Sequence, residues 1–144
     1  MNVREVLPKL VLVARWIGVV VFPIPVYSIV VLCSVPLLNW GIIGRAEWVS
    51  NLLGQNGLNI ISILANVLGG IALAHTAALL APSGKFVAAV AMSSFCGFGV
   101  LLTLIGNIQC GNGWFIATNI ATFAGMVGGC ASIYMKYSRR TVSE

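Results

Sequence analysis

Four stretches of the chain are almost wholly apolar, and turn-rich polar stretches separate them. Trp16–Leu38, Phe86–Gln109 and Trp114–Met135 carry no charge, and Leu58–Ala81 carries only a histidine. A helix needs about 20 apolar residues to cross a hydrocarbon core of ~30 Å. The pattern therefore predicts an all-α integral membrane protein with four transmembrane helices, at about 16–38, 58–81, 86–109 and 114–135, in a single membrane domain over 1–144. Pro82-Ser83-Gly84-Lys85 and Cys110-Gly111-Asn112-Gly113 are short links. They force antiparallel neighbours, so the last three spans form an up-down-up array.

The first span resembles a secretory signal only in having basic residues ahead of it. Its apolar run is longer than an ordinary h-region and no small-x-small site ends it, so it reads as a retained span. Pro23 and Pro25 each remove a backbone donor, which predicts a kink or unwound turn near Phe22–Tyr27. Residues 1–15 read as a short basic interfacial helix, with Arg15 snorkelling toward lipid phosphates. The 39–57 stretch reads as an outer loop with a short amphipathic surface helix at Ala46–Leu53 and Trp48 at headgroup level.

Composition supports the same class. Of 144 residues 59% are hydrophobic and 8% charged, against about 45–50% and roughly 25% in a soluble domain. Mean hydropathy is +1.01. Too few charges remain to cover a water-soluble fold, so the pI near 9.4 does not signal nucleic-acid binding. Arg4, Lys9, Arg15, Lys85, Lys136, Arg139 and Arg140 all fall on one side of a four-span arrangement, and Arg45 alone on the other. The positive-inside rule then places both termini on the cytoplasmic side, or the matrix side of a mitochondrial membrane.

The chemistry available is narrow. Glu5, Glu47 and Glu144 are the only acids, none within an apolar span, so carboxylate-dependent catalysis and carboxylate metal cages are not expected. No enzyme activity, metal or resident cofactor is expected, whereas bound lipid is. His75 is the lone intramembrane histidine. Its candidate roles are an interhelical hydrogen bond, with Thr76, Asn107 or Asn119 as partners, a quinone or lipid-headgroup contact, or cofactor ligation. A bis-histidine haem would need its second ligand from a partner chain. The four cysteines form no CxxC pair. Cys33 and Cys110 fall near the less basic face and are a candidate disulfide if that face is oxidising.

Small residues recur every fourth position: Asn66, Gly70, Ala74, Ala78 in the second span and Ala89, Ser93, Gly97 in the third. The fourth has two rows, Ala121, Gly125, Gly129 and Ala124, Gly128, Ser132. Such rows let helix backbones approach closely. Two rows read as opposite stripes on one helix call for more neighbours than a hairpin supplies. Asn66, Asn119, Ser93, Ser94, Thr103, Thr118 and Thr122 suit interhelical hydrogen bonds of about 0.6 kcal/mol each.

These features lead to the expectation of a non-catalytic accessory subunit of a larger membrane complex, with other membrane subunits and lipids as partners and no nucleic acid. The basic N-terminus with one acid fits a retained targeting signal, which favours a respiratory-chain complex of the mitochondrial inner membrane. The alternative is a four-span scaffold similar in topology to claudin-like or MARVEL-domain proteins. The claudin Trp-Gly-Leu-Trp run with two following cysteines is missing, and Asn39-Trp40-Gly41 does not replace it. A small neutral-solute transporter and a haem- or quinone-binding anchor through His75 are further alternatives.

Overall fold

The computed structural model of the chain describes residues 3–38 and 47–141, with side chains described over 7–37 and 59–138. The described residues form five helices and no strand: α1 Val3–Val21, α2 Pro23–Leu38, α3 Glu47–Leu80, α4 Lys85–Gln109 and α5 Gly113–Thr141. Asn59–Leu80, Lys85–Gln109 and Gly113–Ser138 are each long and apolar enough to cross a membrane. The pair α1–α2 adds a fourth crossing if its two bent halves make one span.

Proline chemistry explains the bend. The helix breaks at Phe22, and the segments Leu7–Val21 and Pro23–Leu37 meet at 41°. Pro23 and Pro25 lack the N–H groups that would serve the carbonyls of Val19 and Val21. Phe22 N–H to Gly18 O (3.0 Å) and Val26 N–H to Phe22 O (3.1 Å) flank the gap. Among the described residues, Pro23 is the largest fully buried side chain. The expected kink is therefore present. The expected separate helix over 1–15 is not, because α1 runs unbroken through Arg15 and Trp16 to Val21.

A second boundary also moves. The expected surface helix at Ala46–Leu53 joins the following span without a break, so α3 runs 34 residues from Glu47 to Leu80. Gly54 and Gly57 weaken a helix by about 1 kcal/mol each but, unlike proline, remove no hydrogen bond. The remainder of the outer loop, with Trp40 and Arg45, lies outside the described residues, as does the side chain of Trp48.

α3 is the hub and packs against α1, α2, α4 and α5. The links to α4 and from α4 to α5 reverse the chain through left-handed Gly84 (φ 58°) and Gly111 (φ 67°). A side chain bearing Cβ is strained in that conformation, so glycine fits both turns. Arg15 Nε donates to Leu80 O (3.3 Å), and Lys85 Nζ lies 5.9 Å from the Tyr137 ring centroid. The ends of α3 and α5, the start of α4 and Arg15 of α1 thus share one basic end of the bundle.

The interior is built from small side chains. Ala65, Ala74, Ala77, Ala81 and Ala89 are fully buried, alongside Leu73, Met92, Met126 and Ile133. Large apolar residues point outward: Leu32 and Leu79 are each 72% exposed, Val87 68% and Phe95 67%. This inverts the arrangement in water, where burying large apolar groups drives folding. It matches helices packed in an apolar medium, where close contact between small residues takes over.

Candidate functional site

The seam between α3 and α5 brings together most of the polar side chains at mid-helix depth. Glycine makes it possible. A Cβ on Gly125 would collide with the carbonyl oxygen of Val67, and one on Gly70 would lie 2.6 Å from Thr122 O. On Gly129 it would lie 2.8 Å from the Ala74 methyl. The backbones are close enough for short side chains to bridge them.

Three helices meet at Asn66. Its Oδ1 accepts from the Tyr27 hydroxyl of α2 (2.8 Å) and lies 3.2 Å from the Thr122 hydroxyl of α5, whose single proton it shares with the closer Thr118 O (2.9 Å), while its Nδ2 donates to Ser62 O (2.8 Å). Tyr27 and Thr122 oxygens are 3.4 Å apart. Tyr27 is the residue that sequence reasoning missed. Tyrosines gather at membrane interfaces, and one placed amid an apolar span needs a partner for its hydroxyl.

Toward the basic end, His75 Nε2 lies 2.9 Å from Ser132 Oγ, and the Ser132 hydroxyl donates to Gly129 O (2.8 Å). With that proton committed to Gly129, Ser132 Oγ accepts from Nε2–H. The expected partners are engaged elsewhere. Thr76 donates to Ala72 O, Asn107 to Thr103 O, and Asn119 Oδ1 lies 3.3 Å from the Thr103 hydroxyl, which donates to Val100 O at 2.8 Å. Asn119 Nδ2 is buried and makes no hydrogen bond.

The predicted packing rows divide cleanly. Asn66, Gly70, Ala74 and Ala78 face α5, where Ala78 joins Ala89 and Ile133 in one apolar cluster. Ala121 is buried, and Gly125 and Gly129 meet α3. Ala89 is buried against α5, Ser93 accepts from the Cys130 thiol (3.4 Å), and Gly97 faces the Phe123 ring. The second α5 row is different: Ser132 turns inward to His75, whereas Ala124 and Gly128 are exposed and a Cβ on Gly128 would meet nothing within 4 Å. The two rows are not opposite. Residues three apart on a helix differ by about 60° in direction, so the rows are adjacent.

Cys33 and Cys110 are free, exposed thiols, so the candidate disulfide between them is not formed in this structure. α2 lies against α3 and α1, while Cys110 ends α4, which packs mainly on α3 and α5 and more lightly on α1. Among the described residues no three His, Cys, Asp or Glu side chains gather as a metal-ligand set.

Between α4 and α5, on the side away from α3, lies a groove of about 620 Å³. Phe86, Phe98, Val127 and Tyr134 form its walls, and Ser93, Gly97 and Cys130 its floor. Its outward walls are apolar. Comparison of the chain with protein-family models, curated proteins and solved structures finds no match in any of the three.

Proposed function

We propose that the chain is a non-catalytic accessory subunit of a larger membrane protein complex, crossing the bilayer four times with its basic end on the cytoplasmic or matrix side. The observation that carries this reading is the contrast between the two sides of α5. Inward, Thr122 and Ser132 reach Asn66 and His75 of α3. Outward, Ala124, Gly128 and Ala131 leave a flat exposed strip on a bundle otherwise covered in large apolar side chains. A flat strip of small residues lets a partner helix approach closely, and helix association in lipid rests on such contact. The basic N-terminal segment, with Glu5 as its one acid, favours the mitochondrial inner membrane and a respiratory-chain complex as the setting.

The test is native electrophoresis of the tagged protein after extraction in mild detergent, with identification of whatever co-migrates. Migration in an assembly far larger than a small homo-oligomer, with respiratory subunits alongside, is expected. Migration alone or as a small homo-oligomer sinks the accessory role.

A further inference from the structure

We propose that the first turns of α1 dock onto the membrane surface: Leu7–Ala14 leans over the leaflet at the basic end of the bundle, with Leu10 and Val13 at the boundary between headgroups and acyl chains. The inference rests on the membrane reading but not on the presence of a partner complex. α1 and α3 run in opposite directions, and Arg15 Nε reaches Leu80 O in the last turn of α3. The residues ahead of Arg15 therefore continue past the end of α3. The helical path from Arg15 to Leu38 measures roughly 35 Å at 1.5 Å per residue, which crosses a hydrocarbon core of ~30 Å even with its bend. No hydrocarbon is left for Leu7–Ala14 to cross.

That segment is nevertheless apolar. Lys9 is its one charge, and Leu7, Leu10, Val11, Leu12 and Val13 are all exposed. A contiguous apolar surface of this kind calls for a cover, and two observations name it. Leu10 and Val13 lie on one helical stripe with Ile17 and Val20, at spacings of three and four residues, and all four are more than half exposed. Ile17 and Val20 come after Arg15 and so face hydrocarbon. The stripe runs from hydrocarbon to headgroup depth without a break, so the lipid that covers its lower half covers its upper half too. Arg15 and Val19 mark the opposite face, against the bundle. The bend also leans the right way. A proline ring pushes off the carbonyl one turn back and opens the helix on its own side. Pro23 is fully buried, so the opening faces the bundle and α1 tilts away from it. With α2 along the membrane normal, the 41° bend puts Leu7 roughly 8 Å above Ala14 at 1.5 Å per residue. The headgroup layer on each side of a ~30 Å core is about 5–8 Å thick, so the segment fits within it. An amphipathic helix in that layer buries its apolar face at the acyl boundary, and Lys9, at the edge of the stripe, can extend its ammonium to the phosphates.

The experiment is fluorescence quenching of the full chain in phosphatidylcholine vesicles with iodide on both faces. The exposed thiols Cys33 and Cys110 are replaced by serine, and labelling of that background measures what Cys96 and Cys130 contribute. Single cysteines at exposed positions then carry a small polarity-sensitive dye. A label at Leu10→Cys should be quenched several-fold more by lipid bearing a nitroxide just below the headgroup than by iodide. A label at Pro8→Cys, on the opposite face, should show the reverse order. Phe95→Cys, exposed in the middle of α4, tests the membrane reading separately: lipid nitroxide quenches it wherever α1 lies, and failure there overturns that reading. With Phe95 quenched, iodide reaching Leu10 and Pro8 alike means a helix standing free in water and overturns the docking. So does a Leu10 label that neither quencher reaches, which places a second copy there, or equal lipid quenching at Leu10 and Pro8, which immerses the segment on all sides.

Discussion

The Oδ1 of Asn66 accepts a hydrogen bond from a tyrosine of α2 and lies 3.2 Å from a threonine hydroxyl of α5, so one amide oxygen ties three helices together. Removing one donor differs from removing the acceptor. Tyr27→Phe deletes a hydroxyl and leaves Asn66 with Thr122, at a cost of about 0.6 kcal/mol, the average for such bonds in membrane bundles. Asn66→Leu strips the Tyr27 hydroxyl of its 2.8 Å acceptor, and the cost should rise to about 1–3 kcal/mol. Unfolding in mixed SDS micelles, followed by circular dichroism, should rank the two variants in that order; the reverse order would remove Asn66 as the junction. Asn66 and Thr122 were legible in the sequence because polar groups at membrane depth need partners. Which partner each one finds was not. His75 meets Ser132 because α3 and α5 cross at Gly70, Gly125 and Gly129, and that crossing fixes a register no spacing within a single helix contains.

At the scale of the helix, glycines of one residue type do opposite things. Gly125 lies against the Val67 backbone, which cannot swing aside as a side chain can. Gly125→Ala should cost about 1–3 kcal/mol through overpacking. Gly128, one turn along α5, faces open space, so Gly128→Ala should leave stability within about 1 kcal/mol of wild type, the difference being helix propensity alone. Unfolding midpoints of the two variants check this directly, and equal losses would place the α3–α5 crossing elsewhere. The extent of α4 and the start of α5 were readable because hydrophobic length and short glycine links set them, whereas α5 runs past the expected end at Met135 to Thr141. The start of α3 was not, because Gly54 and Gly57 resemble a turn yet leave every backbone donor in place. Proline, which does remove donors, gave the reliable signal at Phe22.

At the scale of the molecule, Arg15, Lys85 and Tyr137 mark one end of the bundle and the Cys110–Asn112 link the other. With the basic end cytoplasmic or in the matrix, an impermeant maleimide added to sealed membranes from the opposite side should label Cys110. Ser83→Cys, in a Cys110→Ser background, should react only after permeabilisation. The opposite pattern would invert the topology. The dependence of α2 on α3 also sets an order in time. Tyr27 leaves the ribosome 39 residues before Asn66 and 95 before Thr122. At about 5–20 residues per second, its hydroxyl waits roughly 2–8 s for the first acceptor. Over that interval the bent first helix has lipid, or a chaperone, as its only company. A slowdown in translation between Leu38 and Asn59 would lengthen the period in which a membrane protease can find it, so the codons of that stretch bear on how much protein survives its own synthesis.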